Sequence, residues 1–292
     1  MFISLINNSI YVLNTMKKLI IKLIPNSLKP IFRVPYYSML GLIDRLNGKD
    51  RMIPPRSMMY IGAGDIGQIG KEFMGYFTQL ADLQPFHSVL DVGCGVGRMA
   101  IPLTGYLSGE GEYWGFDIVE KGIRWCRKHI SPKFGNFHFL HSDIRNKFYN
   151  PKGRIEARNY IFPFPDHSFD FVFLTSVFTH MLPADMENYL SQISRVLKPY
   201  GKCLLTFFIL NEESEGLIRS APDALQFEHC MQGYKTINRT IPEKAVAYDE
   251  LYLSNLLKKN QISIVQPIHY GYWCKREQCL TYQDIIIGEK ES

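Results

Sequence analysis

From residue 66 onward, short apolar runs take turns with segments whose apolar residues recur at helical spacing. Val89-Leu90-Asp91-Val92, Tyr113 to Asp117, Phe137 to His141, Phe169 to Thr175, Cys203 to Ile209, Ile262 to Val265 and Asp284 to Gly288 each have the length of a buried strand. Between them, Ile69, Phe73, Phe77 and Leu80 mark one helix face, and Ile123, Trp125 and Cys126 mark a second. A third helix runs from Pro183 through Met186, Tyr189, Leu190, Ile193 and Val196 to a stop at Lys198-Pro199-Tyr200-Gly201, and a fourth from Asp249 to Lys259. Seven apolar strands separated by amphipathic helices predict an α/β domain in three layers around a mainly parallel sheet.

Two stretches interrupt that rhythm. Residues 145–160 carry Arg145, Lys147, Lys152, Arg154 and Arg158 against Glu156, with a turn at Asn150-Pro151-Lys152-Gly153. They read as a solvated basic hairpin or as a contact for an anionic substrate. Residues 211–247 are a polar excursion placed to fold over the carboxyl edge of the sheet as a cap. From the cap and the late loops, Tyr234, Lys235, His269, Tyr270 and Tyr272 are the side chains offered to a substrate pocket.

The amino-terminal part has a different character. Residues 1–60 hold nine Lys or Arg against Asp44 and Asp50, a local charge of +7. The rest of the chain, with 24 basic and 26 acidic residues, is nearly neutral, which argues against a nucleic-acid surface on the main domain. The chain therefore divides into a basic, helical arm at 1–60 and a main domain at 61–292. Asn7, Asn8, Asn14, Lys17, Lys18 and Lys22 break every apolar run before it reaches spanning length, and no small-residue cleavage site follows. Met16 to Ile24, with three lysines, has the makings of an interfacial helix, so a cytoplasmic protein is expected, with peripheral membrane contact through residues 1–30 as the alternative. Six cysteines without a C-x-x-C pair read as reduced thiols, and no metal site is expected.

The candidate chemistry gathers at Asp91-Val92-Gly93-Cys94-Gly95-Val96-Gly97-Arg98. Glycines at alternate positions after a strand let main chain approach a ligand, and a following helix would add unpaired N–H groups and a positive dipole end. Arg98 stands where a dinucleotide G-x-G-x-x-G would need its last glycine. Gly62-Ala63-Gly64-Asp65-Ile66-Gly67 does match that string, but it follows a poor strand and has no acid suited to ribose twenty residues on, so it reads as a loop before a helix. Twenty residues past Gly97, Asp117 closes the second strand, and Asp143 follows the third.

In these residues, and in Phe169-Asp170 opening the fourth strand, the chain resembles the class I, seven-strand S-adenosylmethionine (SAM) dependent methyltransferases of small-molecule type, over roughly residues 85 to 290. The resemblance implies a Rossmann-like sheet whose last strand is antiparallel and inserted beside the fifth. It implies SAM as cofactor. The Gly93, Cys94, Gly95 and Gly97 loop would hold its methionyl end, with Asp91 toward the ammonium. Asp117 would accept the ribose hydroxyls, Ile118 would flank adenine, Asp143 would accept the adenine amino group and the Ile144 N–H would meet a ring nitrogen. Each acid could instead cap a helix. Thr175 and Ser176 would face the transferred methyl, Phe178 would pack on the cofactor, and His180 is the candidate general base. The expected activity is methyl transfer to a small or medium polar acceptor, a hydroxyl on a sugar or anionic metabolite. A membrane-associated enzyme for a lipid-like acceptor such as a quinone, and a non-catalytic SAM-binding protein, are the alternatives. Oligomeric state is not legible in the sequence.

Overall fold

The computed structural model describes residues 52–55, 58, 66–231 and 233–292. Gly64–Ser292 forms one compact unit. The interfacial-helix stretch, most of the basic arm and Gly62 to Asp65 of the second glycine motif lie outside the described residues.

In chain order the described elements begin with α1 (Ile66–Gln79), β1 (Ser88–Val92), α2 (Ala100–Leu103), β2 (Glu112–Asp117), α3 (Glu120–His129) and β3 (Phe137–His141). The short pair β4 (Ile144–Arg145) and β5 (Ile155–Glu156) follows, then β6 (Phe169–Leu174), α4 (Pro183–Val196) and β7 (Leu197–Phe207). β8 (Ile209–Leu210), α5 (Glu212–Ser220), β9 (His229–Met231), β10 (Tyr234–Thr236) and β11 (Val246–Asp249) build the cap. The chain ends with α6 (Glu250–Lys259), β12 (Ile262–His269) and β13 (Asp284–Lys290).

The seven long strands lie in the order β12-β13-β7-β6-β1-β2-β3. All pairings from β7 to β3 are parallel, and β13 runs antiparallel between β7 and β12, as the family resemblance implies. Alternate residues face opposite sides. Val89, Phe171 and Phe173 pack against Phe73 and Phe77 of α1 and Ile123 of α3, whereas Leu90, Val172 and Leu174 pack against Met186, Leu190 and Ile193 of α4. Burial on both faces explains why these strands read as nearly continuous apolar runs.

Two elements differ from the sequence expectation. β7 starts six residues early, at Leu197, because the chain passes the Lys198–Tyr200 stop as a bulge, with Tyr200 at φ +62° and the register against β6 shifted between Phe169 and Phe171. The helix after the glycine loop is a single turn, Ala100–Leu103. A helix that short carries almost no macrodipole, so the expected dipole end is not what shapes the site.

The cap is more ordered than its polar composition suggested. β8, β11, β10 and β9 form a separate four-stranded sheet, and Asn211 caps α5 through a reciprocal bond pair with Ser214. Asp249 caps α6 by accepting from the Tyr252 N–H. Buried Asp284 ties the cap to the main sheet: it accepts from the N–H groups of Ile209 and Gly271 and from Trp273 Nε1, at 2.6, 2.6 and 2.8 Å.

Candidate functional site

Strand order reverses direction at β1, whose neighbours are β6 on one side and β2 on the other. Loops leaving the carboxyl ends of such a pair diverge and open a crevice. Register places Asp91 beside Gly115 and Val92 beside Phe116, so the glycine loop and Asp117 leave the sheet side by side.

Gly93, Gly95 and Gly97 have φ of +85°, +57° and +81°. A Cβ on Gly93 would stand 2.4 Å from Val177 Cγ2, and one on Gly97 would stand 2.8 Å from Ile130 Cδ1. Only glycine fits a left-handed backbone pressed this closely. The loop is braced from below: the N–H groups of Gly93 and Cys94 donate to the Phe116 carbonyl at 2.8 and 3.1 Å. Gly95 N–H donates to Asp117 Oδ2 at 2.8 Å and Val119 N–H to Oδ1 at 2.7 Å. Each Asp117 oxygen keeps a further lone pair, enough for a vicinal diol. Burial nevertheless pushes the Asp117 pKa up to about 6, against the lowering effect of those two N–H bonds.

Asp91 is the more demanding carboxylate. It is 1 % exposed. Its Oδ2 accepts from the Tyr113 hydroxyl at 2.6 Å, and its Oδ1 has no hydrogen-bond partner among the described residues. Burial raises its pKa to about 7; the Tyr113 bond and the Arg98 charge oppose the rise and the Asp117 charge adds to it. A buried carboxylate oxygen left empty beside a bare glycine turn suits a cationic group. An ammonium on a nucleoside-bearing ligand, its diol at Asp117, fits both demands.

Other expected site residues fall differently. Ile118 is half-buried beside Asp117, as a flanking role requires. Cys94 offers only main chain, since its thiol lies under Gly115. Thr175 is nearly buried at the end of β6. Phe178 is 0 % exposed and stacks on Phe207 with centroids 5.1 Å apart, so it is core rather than a cofactor contact. Asp143 pairs with Arg154, which holds its carboxyl below the ordinary range, and the Ile144 N–H donates to the Ser142 carbonyl. The Ile144 N–H is thus engaged internally, and Asp143 by Arg154 through Oδ2.

His180 is held on both sides. Its Nδ1 lies 2.9 Å from the Glu243 carbonyl, which can only accept, so Nδ1 holds the proton and Nε2 accepts from the Tyr149 hydroxyl at 3.3 Å. Burial lowers its pKa, so the ring is neutral near pH 7 with both nitrogens engaged. That is a holding role. The basic insertion is likewise committed: Arg145 and Arg158 pair with Glu156, and Arg154 with Asp143. Of the offered pocket residues, Lys235 pairs with Glu215 and Tyr270 donates to Glu250.

The structure gives Ser176 partners that the sequence did not single out. At the carboxyl ends of β6 and β7, Ser176 is held at φ +59°, its N–H donating to Thr206 Oγ1 at 2.8 Å. Ser176 Oγ and Thr206 Oγ1 both donate to Gln283 Oε1, at 3.0 and 2.7 Å, and the Gln283 amide nitrogen lies 3.5 Å from Thr179 Oγ1. A left-handed non-glycine residue at a strand end is a feature of strained functional turns. Gln283 could have been noticed as a polar residue directly before the last apolar strand. Tyr149 of the insertion and Glu243 of the cap, buried with Oε2 unpartnered among the described residues, have no local sequence signal.

Fold and site are similar to those of the class I, SAM-dependent methyltransferases. Residues 89–201 match the family model described as a methyltransferase domain. The chain is 31 % identical over 124 residues to the ubiquinone/menaquinone biosynthesis C-methyltransferase UbiE of Wigglesworthia glossinidia brevipalpis, covering 42 % of this chain and 44 % of that one. It is 28 % identical over 138 residues to the tRNA N(3)-cytidine methyltransferase METTL2 of Xenopus tropicalis, covering 44 % and 37 %. The chain thus spans less than half the length of either relative. The crystal structure of the PH0226 protein from Pyrococcus horikoshii OT3 shares the fold, with a TM-score of 0.55 at 18 % identity over 80 % of this chain and 95 % of that chain. With a tRNA methyltransferase among the relatives, the expected exclusion of nucleic acid gains no support from them. Among the described residues no helix is long and apolar enough to cross a membrane.

Proposed function

We propose that the protein is a SAM-dependent methyltransferase acting on a small or medium polar acceptor, a hydroxyl in the leading case. The observation that carries this reading is the crevice at the β1 exit, where three left-handed glycines lie beside two buried carboxylates and one carboxylate oxygen has no partner among the described residues. Those residues fit SAM: the glycine loop and Asp91 would hold the methionyl end and Asp117 the ribose. When bound, SAM supplies a methyl already activated on a sulfonium.

The protein's part is then to bind, orient and exclude water. Ser176, Thr206 and Gln283 form a rigid polar group at the neighbouring strand ends, which supports an acceptor that hydrogen-bonds. The insertion's arginines are occupied within the protein, so they lend no weight to an anionic acceptor. His180 Nε2 is committed to Tyr149, so a proton leaving a hydroxyl acceptor would reach that lone pair only by way of the phenol.

Incubation with methyl-labelled SAM and a metabolite extract tests the reading: a product heavier by about fourteen mass units is expected, one methyl replacing one hydrogen. Binding of S-adenosylhomocysteine without labelled product from aqueous or lipid extract would leave a SAM-binding protein instead. A second reading, a quinone-like acceptor at a membrane, is favoured by the likeness to UbiE. It predicts co-sedimentation with vesicles that is lost when residues 1–24 are removed, and label in the lipid extract.

A further inference from the structure

The insertion between β3 and β6 has a destination. Three residues past His141 at the end of β3, it passes through Ile144, whose N–H bonds the Ser142 carbonyl, and is pinned there by Arg154 on Asp143 and by Asn150 Nδ2 on the Ile144 carbonyl. At its other extreme, Asn146 Nδ2 donates to the His180 carbonyl at 3.1 Å and the Tyr149 hydroxyl meets His180 Nε2 at 3.3 Å. His180 lies six residues past the end of β6. In the sheet order β6-β1-β2-β3, the exits between those two anchors are those of β1 and β2, which carry the glycine loop and Asp117. Three strand spacings are about 14 Å, within the reach of two extended residues, an asparagine side chain and its hydrogen bond.

We propose that residues 146–150 are a strap across the nucleoside half of the cofactor crevice and that Tyr149 touches the bound cofactor, with His180 as the positioning residue that aims its phenol. The proposal rests on the SAM reading and deepens it. Tyr149 ends up where Asp117 is felt: burial first, and the Asp117 charge second, push the phenol up to about 12. The cap closes the arrangement from the other side, since the Glu243 carbonyl fixes the His180 tautomer and thereby makes Nε2 the acceptor for Tyr149. A histidine placed as a base would keep a nitrogen for the substrate; this one gives both to the strap and the cap.

Calorimetry with S-adenosylhomocysteine on the full chain tests it. Tyr149→Ala should weaken binding roughly tenfold, and Tyr149→Phe and His180→Asn each roughly threefold. Asparagine can keep the donor to Glu243 while losing Nε2, so His180→Asn with Tyr149→Phe should weaken binding little more than either change alone. In wild type, saturating ligand should also slow tryptic cleavage at exposed Lys147, and in Tyr149→Ala it should not. Melting temperature without ligand reports whether each variant folds. If wild type binds and these variants bind within twofold of it, the strap is wrong and the SAM reading stands; if wild type does not bind, both fall.

Discussion

Replacing Asp91 by asparagine should make the protein more stable and a poorer SAM binder, and the gain should depend on pH. Asp91 is ionised in its binding role, yet it is buried with one oxygen empty. Its folded-state pKa of about 7 stands against an ordinary 3.8. Holding the charge therefore opposes folding by about 4 kcal/mol once pH exceeds both values. Because the folded chain holds the proton more tightly than the unfolded one, this penalty is absent below pH about 4, grows through the interval and is complete above about 7. At pH 5 it is under about 2 kcal/mol. Asparagine removes it at every pH but puts an amide N–H₂ where no acceptor waits, a loss of about 1–3 kcal/mol. The net expectation is a stabilisation of about 1–3 kcal/mol at pH 8.5 and none, or a small loss, at pH 5.

Thermal and urea unfolding of both chains at the two pH values checks the stability arm, and calorimetry with S-adenosylhomocysteine checks the binding arm, where at least a roughly tenfold loss is expected. Wild-type affinity itself should fall as pH drops through about 7 and then 6, because the ligand's ammonium and diol favour the ionised forms of Asp91 and Asp117. In Asp91→Asn the upper part of that fall should vanish. Equal destabilisation of the variant at both pH values, or undiminished ligand affinity, would refute the assignment of Asp91 as a carboxylate held under strain for a cation.

Gly93→Ala should cost about 2–4 kcal/mol in unfolding experiments, from the left-handed backbone and the 2.4 Å approach to Val177; adding Val177→Ala should recover only the steric part and leave about 1–2 kcal/mol. Asp117→Asn turns an N–H₂ toward one of its two N–H donors and should reduce S-adenosylhomocysteine affinity at least thirtyfold, about 2 kcal/mol, by calorimetry. Gln283→Ala removes the group that organises Ser176 and Thr206; methyl transfer should slow roughly tenfold while S-adenosylhomocysteine affinity stays within about twofold, a split that places Gln283 on the acceptor side.

What the sequence discloses about this fold is what local pattern can carry. The seven strands and the face of α4 follow from runs of a few residues, the direction of β13 from the family resemblance, and the close-approaching turn at Gly93, Gly95 and Gly97 from three letters. Partners brought from elsewhere in the chain are another matter. His180 reads as a base because a lone histidine shows its titration range and not its neighbours, and the neighbours that occupy it are 63 residues ahead and 31 behind. Phe178 looks like a ring for the cofactor until Phe207 of β7 is packed on it. The one-turn length of α2 is similarly hidden, since Pro102 and the glycines at 105, 109 and 111 weaken the helix without fixing where it stops.

The insertion shows why counting charges misreads such a segment. Five cations against one Glu156 suggest a surface for an anion, but the count leaves out Asp143, which belongs to the preceding strand end. With Arg154 on Asp143 and Arg145 on Glu156, two of the five hold the two feet of the loop together, where β4 and β5 pair in parallel, and Arg158 pairs with Glu156 within one foot. These ion pairs are largely exposed, so each adds little stability. Their consequence is geometric: with both feet held at the β3 exit, Asn146 and Tyr149 are left to extend toward His180, and the charge that would have drawn an acceptor instead sets where the strap lies.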